Sequence, residues 1–139
     1  MIIDPVLIRD LLKKLFDLRS PMPISLFCVE KTNYGKLEQS GRIKAGYSEF
    51  YLDGYPAWLV DEYIRILTQY GFIECEYAES GYLTIHCITL DGYHFLGNAV
   101  NDSIWDIVFT GYENVGGYSF DIFLDVLKKQ AYRVAEGSV

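Results

Sequence analysis

Residues 55–96 read YPAWLVDEYIRILTQYGFIECEYAESGYLTIHCITLDGYHFL, and this stretch decides the fold. Its first part carries apolar side chains at helical spacing, which predicts a helix over Pro56–Tyr70 with proline at the first helical position. Gly71 predicts the end of that helix, because glycine adopts the left-handed conformation of a helix cap without steric cost. The apolar period changes directly after this glycine, so a different kind of element follows.

The second part of the stretch alternates between apolar and polar side chains. The alternation over Phe72–Tyr77 predicts a half-buried strand. Glu79-Ser80-Gly81 has the composition of a turn, and Tyr82–Ile88 predicts the partner strand. Thr89 then predicts the N-cap of a further helix. This order of helix, strand, turn, strand and helix is typical of the back half of a winged-helix domain.

Capping residues outside this stretch predict further helices. Asp4-Pro5 predicts the start of the first helix, Asn101 the start of another, and Ser119 the start of a last amphipathic helix. We therefore predict an α+β fold. It consists of a winged helix-turn-helix core, with three helices plus a two- or three-stranded wing hairpin, and two C-terminal helices.

We predict a single domain over residues 1–139. The winged-helix core spans residues 4–100, with an irregular insertion at 30–54, and a helical extension spans residues 101–136.

The sequence predicts the secondary structure between the first helix and the insertion less sharply. Arg19–Pro23 contains two prolines and predicts the end of the first helix. Ile24–Val29 is a short apolar run that fits either a strand or a helical turn. The insertion is long enough to contain a second short helix, and the alternation over Ser48–Leu52 fits a short strand.

The composition indicates a folded protein in a reducing compartment. Half of the 139 residues are hydrophobic and 22% are charged, which suffices for a core without metals or disulfides. No apolar run approaches the ~18 residues of a membrane span, and MIIDPVLIRD lacks the pattern of a secretory signal. The spacing of Cys28, Cys75 and Cys87 predicts reduced thiols. We therefore expect a cytoplasmic protein.

The charges are unevenly distributed along the chain. Residues 1–44 carry eight basic and five acidic side chains, whereas residues 45–127 carry thirteen acidic side chains and Arg65 as the one basic side chain. The last twelve residues carry a net charge of +2, and the whole chain carries −7. The acidic block therefore coincides with most of the predicted winged helix.

The sequence contains no convincing constellation for catalysis. His86 and His94 are too few for a zinc site, which needs three or four converging ligands. The phosphate-binding, dinucleotide-binding and nucleophile-elbow motifs are absent. Glu74, Glu76 and Glu79 fall on the polar side of an alternating strand, which indicates a solvated face. We therefore expect a protein that is not an enzyme and binds no metal or cofactor.

The predicted groove-reading helix has the wrong charge for DNA. Its polar positions include Asp61, Glu62 and Arg65, and the wing carries no lysine or arginine, although contacts to phosphate supply most of the affinity in DNA binding. An alternative nucleic-acid surface uses the basic N-terminal third of the chain. Its candidate contacts are Lys31, Lys36, Arg42, Lys44 and Arg65.

Tyrosine is abundant in this chain. Twelve tyrosines in 139 residues exceed the needs of a small core, and tyrosine is enriched at protein interfaces. The alternative is that several line the core with their hydroxyls at its rim. If they are exposed, Tyr77, Tyr82, Tyr112 and Tyr118 predict an interaction or self-association surface.

Two stretches resemble a known family. Residues 88–108, ITLDGYHFLGNAVNDSIWDIV, are similar to the pattern LTWEGHEFLDAIRDDTVWNKV of small, uncharacterised bacterial and prophage-encoded proteins. Residues 53–74 are similar to that family's EGYSEEEIAYHIKLLIEAGLIE. Leu90 stands where the family often has tryptophan, and residues 28–50 are longer than its usual connection. The resemblance implies a winged-helix-like fold with C-terminal helices, and it implies no activity.

Three functions follow, in this order of preference. The first is a non-catalytic protein-interaction or regulatory module on a winged-helix scaffold, in a prophage or host-defence setting. The second is a DNA-binding transcriptional regulator that uses the basic N-terminal third. The third is an acidic decoy that imitates DNA. Fold alone does not choose among them.

Overall fold

The computed structural model describes residues 2–18, 21–79 and 81–137, and it confirms the predicted α+β class. The α-helices are α1 (Pro5–Asp17), α2 (Lys36–Ser40), α3 (Ala57–Gln69), α4 (Leu90–Ala99), α5 (Asp102–Asn114) and α6 (Phe120–Ala135). The strands are β1 (Ile24–Cys28), β2 (Ser48–Phe50), β3 (Ile73–Glu79) and β4 (Tyr82–Ile88). Arg19 and Ser20 of the predicted helix end, and Ser80 of the predicted turn, lie outside the described residues.

The four strands form one mixed sheet in the order β2-β1-β4-β3. β1 runs parallel to β2 and antiparallel to β4, and β3 and β4 form the predicted antiparallel hairpin. The run at Ile24–Val29 therefore forms a strand over Ile24–Cys28, because β4 offers it a hydrogen-bonding edge. The sheet has more strands than the predicted wing, since Ser48–Phe50 from the insertion adds to the other edge of β1.

α3 is the predicted central helix with one correction at its start. Pro56 is the N-cap residue with extended backbone and is not the first helical residue. Gly71 follows the helix with φ of 73°, as predicted. The Gly71 N–H donates to the Thr68 carbonyl at 3.0 Å, and the Phe72 N–H donates to the Leu67 carbonyl at 2.9 Å. These two bonds satisfy the last carbonyls of α3 and turn the chain directly into β3.

One part of the core lies between helices α1 and α3 and one face of the sheet, and it continues among the C-terminal helices α4, α5 and α6. α1 and α3 pack together, and α3 also contacts β1 and β3. The Asp4 backbone N–H donates to the Tyr63 hydroxyl at 2.8 Å, which ties the start of α1 to α3. The largest fully buried side chains in this region are Leu7, Ile8, Leu11, Leu12, Leu15, Leu26, Ile64, Leu67, Ile73, Leu83 and Ile85.

The predicted irregular insertion is organised around a buried carboxylate. Glu49 is 6% exposed, although it is a charged side chain in a short strand. Its carboxylate accepts hydrogen bonds from the Gly35 N–H at 2.6 Å and from the Leu37 N–H at 3.4 Å. Because backbone donors at the start of α2 converge on one side chain, Glu49 holds α2 against β2. The segment therefore contains the short helix and the short strand that the sequence allowed, as α2 and β2.

Helix α4 connects the sheet to the C-terminal helices. Thr89 is its N-cap, as predicted, and accepts a hydrogen bond from the Gly92 N–H at 3.1 Å. α4 packs against α1, α5 and α6, and α5 and α6 pack against each other. Gly92 is buried against the backbone of Phe72, where an added Cβ would lie 2.2 Å from the carbonyl oxygen. Only a residue without a side chain allows this approach.

Replacing Gly92 with alanine should destabilise the protein by about 3 kcal/mol, because the new methyl group must push α4 away from the Phe72 carbonyl. Gly97→Ala is the matched control on the same helix, since its Cβ would meet nothing within 4 Å. We expect that control to be neutral or to stabilise by up to ~1 kcal/mol, through the higher helix propensity of alanine. Urea unfolding of both variants measures the difference, and equal midpoints would contradict the assigned contact.

Candidate functional site

Two adjoining cavities lie beside helix α6. The first, of about 700 Å³, opens between α4 and α6. The second, of about 450 Å³, opens between the N-terminal residues and the loop that joins α5 to α6. Tyr70 lines both cavities. We call the two cavities together the α6 groove.

The inner part of the groove is aromatic and is positioned by the turn after α3. The Phe72 and Phe95 rings stack with centroids 5.0 Å apart. Tyr70 meets Phe120 edge-to-face at 5.0 Å, and Phe95 meets Phe120 at 6.0 Å. Such offset and edge-to-face pairs are favourable beyond the area they bury. The wall they form is therefore well packed, although it faces a large cavity.

The rim of the first cavity combines exposed aromatic side chains with small residues. Tyr93 on α4 is 48% exposed, and Tyr132 on α6 is 70% exposed. Gly97, Ala131 and Ala135 also line the cavity and leave space between the two helices. An apolar floor with amphipathic aromatic rims is suited to an apolar partner, since burial of the exposed rings stabilises the complex.

Asp91, His94 and Lys128 also line the first cavity, so its polar groups carry both signs of charge. Asp91 lies in the first turn of α4, where the helix dipole favours a carboxylate. The groove thus offers a few polar contacts around an apolar centre, as a recognition surface requires.

The second cavity contains two of the four predicted interaction tyrosines. The Tyr112 and Tyr118 rings meet edge-to-face at 5.0 Å, and both line the cavity. Burial raises the pKa of Tyr118, and the charge of Tyr112 adds to this. Burial also raises the pKa of Tyr70, with smaller contributions from the hydrogen bond to Asp121 and from its charge. These hydroxyls therefore stay protonated at neutral pH and are available as hydrogen-bond donors.

The other two predicted tyrosines lie elsewhere and apart from each other. Tyr77 pairs with Leu83, whose side chain belongs to the buried core, whereas Tyr82 pairs with Phe27. Successive residues of a strand point to opposite faces, so Tyr77 and Tyr82 lie on opposite faces of the sheet. Tyr82 packs against Phe27 at 4.3 Å and against Tyr47 at 4.9 Å. The four tyrosines do not form one surface.

Tyr77 closes a polar cluster between α3 and β3. Its hydroxyl lies 3.2 Å from the Thr68 hydroxyl, and Arg65 lies over its ring at 4.0 Å. Arg65 also donates to Asp61 at 3.4 Å. Burial raises the pKa of Tyr77 to about 12. Because Arg65 is held by a carboxylate and an aromatic face, it is poorly available to an external phosphate.

The candidate nucleic-acid contacts do not converge. Lys31 pairs with Asp53 at 3.1 Å, and Lys44 pairs with Glu79 at the end of β3. Lys36 and Arg42 are exposed at the two ends of α2. Lys44 also lies over Tyr82, on the sheet face opposite to Tyr77 and therefore to Arg65. The structure thus places Lys44 and Arg65 on opposite faces of the sheet.

Within the described ranges, no group of three or more His, Cys, Asp or Glu side chains is placed to hold a metal ion. Burial, followed by the charges of Asp61 and Cys75, raises the pKa of Cys28 to about 12. Burial also raises the pKa of Cys75 and of Cys87. All three thiols are free. They are poor nucleophiles, because the thiolate is the reactive form.

Sequence reasoning did not identify Trp58, Tyr93 or Tyr132 as surface residues. Trp58 is 67% exposed on the first turn of α3. Its position outside the apolar stripe of that helix was the available signal. Tyr132 follows Leu124 and Lys128 at four-residue intervals, which places it on the groove side of α6. The position of Tyr93 depends on the packing of α4, which no local pattern predicts.

The thiols provide a test of this arrangement. In the native protein at pH 8, Cys28 should react with a soluble maleimide at least about tenfold more slowly than a free thiol, because its side chain is buried and burial raises its pKa to about 12. Cys75 and Cys87 should be labelled before Cys28, because both are half-buried whereas Cys28 is buried. Mass spectrometry of time points gives the order, and the denatured chain, in which all three should react alike, is the control. Equal native rates would contradict the burial of Cys28.

In the described part of the chain, none of the helices is long and apolar enough to cross a membrane. No protein-family model, no curated protein and no solved structure matches this chain.

Proposed function

We propose that this chain is a non-catalytic protein-interaction module on a winged-helix-type core, and that its docking surface is the α6 groove. The order α1, β1, α2, β2, α3, β3, β4, with β1 paired to β4, supports the winged-helix assignment, and β2 is an added edge strand. The groove is the observation that carries the functional proposal. Its apolar floor and exposed rims have the composition of a protein interface.

The dimensions of the groove favour a macromolecular partner. Its lining residues on α6 run from Phe120 to Ala135, and a helix of 16 residues is about 24 Å long. The groove residues Asp121, Leu124, Lys128, Ala131 and Ala135 recur at alternating intervals of three and four. This spacing is the seam by which helices pack against one another. A helix therefore fits the groove better than a compact small molecule.

Electrostatics favour a protein partner over duplex DNA. Residues 45–127 carry thirteen carboxylates and Arg65, and Arg65 contacts both Asp61 and Tyr77. Counterion release from DNA requires cations that can reach several phosphates at once. Lys31 and Lys44 form ion pairs with carboxylates, so still fewer cations are available to phosphates.

A fluorescent DNA duplex should accordingly bind with a dissociation constant above about 10 µM at physiological salt, in the range of weak non-specific contacts. Fluorescence anisotropy measures it, and Arg65→Glu should leave it unchanged. Submicromolar affinity that Arg65→Glu abolishes would instead support the DNA-binding alternative and contradict the order of preference.

Site-specific photo-crosslinking tests the docking surface. A benzophenone amino acid in place of Tyr132 preserves an aromatic group on the rim of the groove, and the same amino acid in place of Trp58 is the control on another exposed face. In cells of the native host, irradiation should give a discrete protein adduct from position 132 and none from position 58.

A second variant tests whether the partner occupies the groove itself and does not only contact its rim. Gly97→Trp should abolish the adduct at position 132, because the side chain fills the first cavity from a position with nothing within 4 Å of its Cβ. Mass spectrometry of the adduct identifies the partner, which is either another protein or a second copy of this chain. An adduct from position 58 alone, or no adduct from either position, would contradict the assignment of the docking surface.

A further inference from the structure

We propose that the occupant of the α6 groove is helix α6 of a second copy of this chain, packed antiparallel in a two-fold symmetric dimer. This inference rests on the proposed function and specifies its partner. Three properties of α6 carry it: the order of its charges, its groove-facing seam, and the position of its most exposed aromatic side chain.

The charges of α6 are divided between its two halves. Asp121 and Asp125 lie in the first half, and Lys128, Lys129 and Arg133 lie in the second half. Antiparallel packing of two copies brings the acidic half of each helix beside the basic half of the other. It also opposes the two helix dipoles. A parallel arrangement would place like charges together, which is unfavourable.

The intrahelical pair of Lys129 with Asp125, at 2.9 Å, does not remove this complementarity. Both side chains are more than half exposed, and exposed pairs at this spacing interact weakly. Asp121 and Lys128 are the relevant pair, because each lines one cavity of the groove.

The register follows from that pair. If Asp121 of each copy lies opposite Lys128 of the other, the two-fold axis passes between Leu124 and Asp125. Tyr132 follows Lys128 by four residues, or about 6 Å along the helix. Gly117 precedes Asp121 by the same four residues. Tyr132 of one copy therefore lies opposite the α5–α6 loop of the other.

The second cavity is located in that loop and is suited to an aromatic ring. Gly116 and Gly117 line it without side chains, and Tyr112 and Tyr118 supply aromatic walls. Each copy thus contributes one projecting tyrosine, 70% exposed, and one cavity that receives the ring of the other copy. A two-fold interface requires this self-complementarity, since the same patch must bind itself.

Charge reversal with mixing tests the pairing. Asp121→Lys makes both groove positions basic, and Lys128→Asp makes both acidic, so each variant alone should dimerise at least about tenfold more weakly than the parent. An equimolar mixture should regain the dimer, because each lysine then faces an aspartate. Sedimentation velocity measures the association, and the mixture requires no new contact beyond the exchanged charges.

Controls separate this pairing from general effects of charge or folding. Asp106→Lys on α5 changes the net charge by the same amount as Asp121→Lys and lines neither cavity, so it should leave the dimer intact. Thermal unfolding of each variant checks that it is folded. Tyr132→Ser alters an exposed side chain and should weaken dimerisation about tenfold without changing stability.

A parent protein that stays monomeric at every concentration would overturn the inference, as would two variants whose mixture fails to associate. If the parent is monomeric while position 132 still crosslinks to a different protein, the docking surface stands and the second copy is excluded. If the parent dimerises equally well with Tyr132→Ser, the interface lies elsewhere on the chain.

Discussion

The architecture depends on the close approach of α4 to the turn between α3 and β3. The Phe72 carbonyl accepts a hydrogen bond from the Thr89 N–H at 2.9 Å, and the Thr89 hydroxyl donates to the carbonyl of Gly71. The same hydroxyl oxygen accepts from the Gly92 N–H and caps α4. One threonine therefore both starts the helix and fixes it to the turn. The absence of a side chain at Gly92 allows the two backbones to meet.

This contact determines where the groove lies. α5 and α6 pack on α4, so their positions follow from the direction in which α4 leaves the sheet. Phe72 continues from the turn into the aromatic wall with Phe95 and Phe120. A displacement of α4 would therefore alter both the core and the first cavity. Stability and the shape of the docking surface are coupled through the same few atoms.

Local patterns predicted much of the fold. Asp4, Thr89 and Ser119 each cap the helix that they were expected to cap, with backbone donors at 2.9 to 3.3 Å. These predictions succeed because a cap involves residues two or three positions apart. Gly71 ends α3 for the same local reason, because most residues that have a side chain do not tolerate the left-handed conformation found there.

Long-range contacts explain what the sequence did not reveal. The burial of Glu49 depends on donors that lie 12 and 14 residues away. The alternation over Ser48–Leu52 fits the short strand β2, but it did not indicate that β2 pairs with β1 in parallel. The same limitation applies to the candidate cations, since Lys44 meets Glu79 only after the β3–β4 hairpin is placed beside the insertion. Neither partner has a sequence signal that indicates the other.

Helix α6 carries more apolar surface than its neighbours cover. Phe123 and Leu127 are fully buried beneath it, while Leu124, Ala131 and Tyr132 extend the apolar surface into the groove. A helix that only completes a core needs a single buried stripe. The groove-facing seam of α6 has alanine at two positions, Ala131 and Ala135. These small side chains limit the apolar area that the isolated chain exposes, and they still allow another backbone to approach closely. The ring of Tyr132 adds apolar area at a single point of this surface. Specificity would therefore reside in the contact of Tyr132 with the second cavity and in the pair of Asp121 with Lys128, and not in a broad hydrophobic patch.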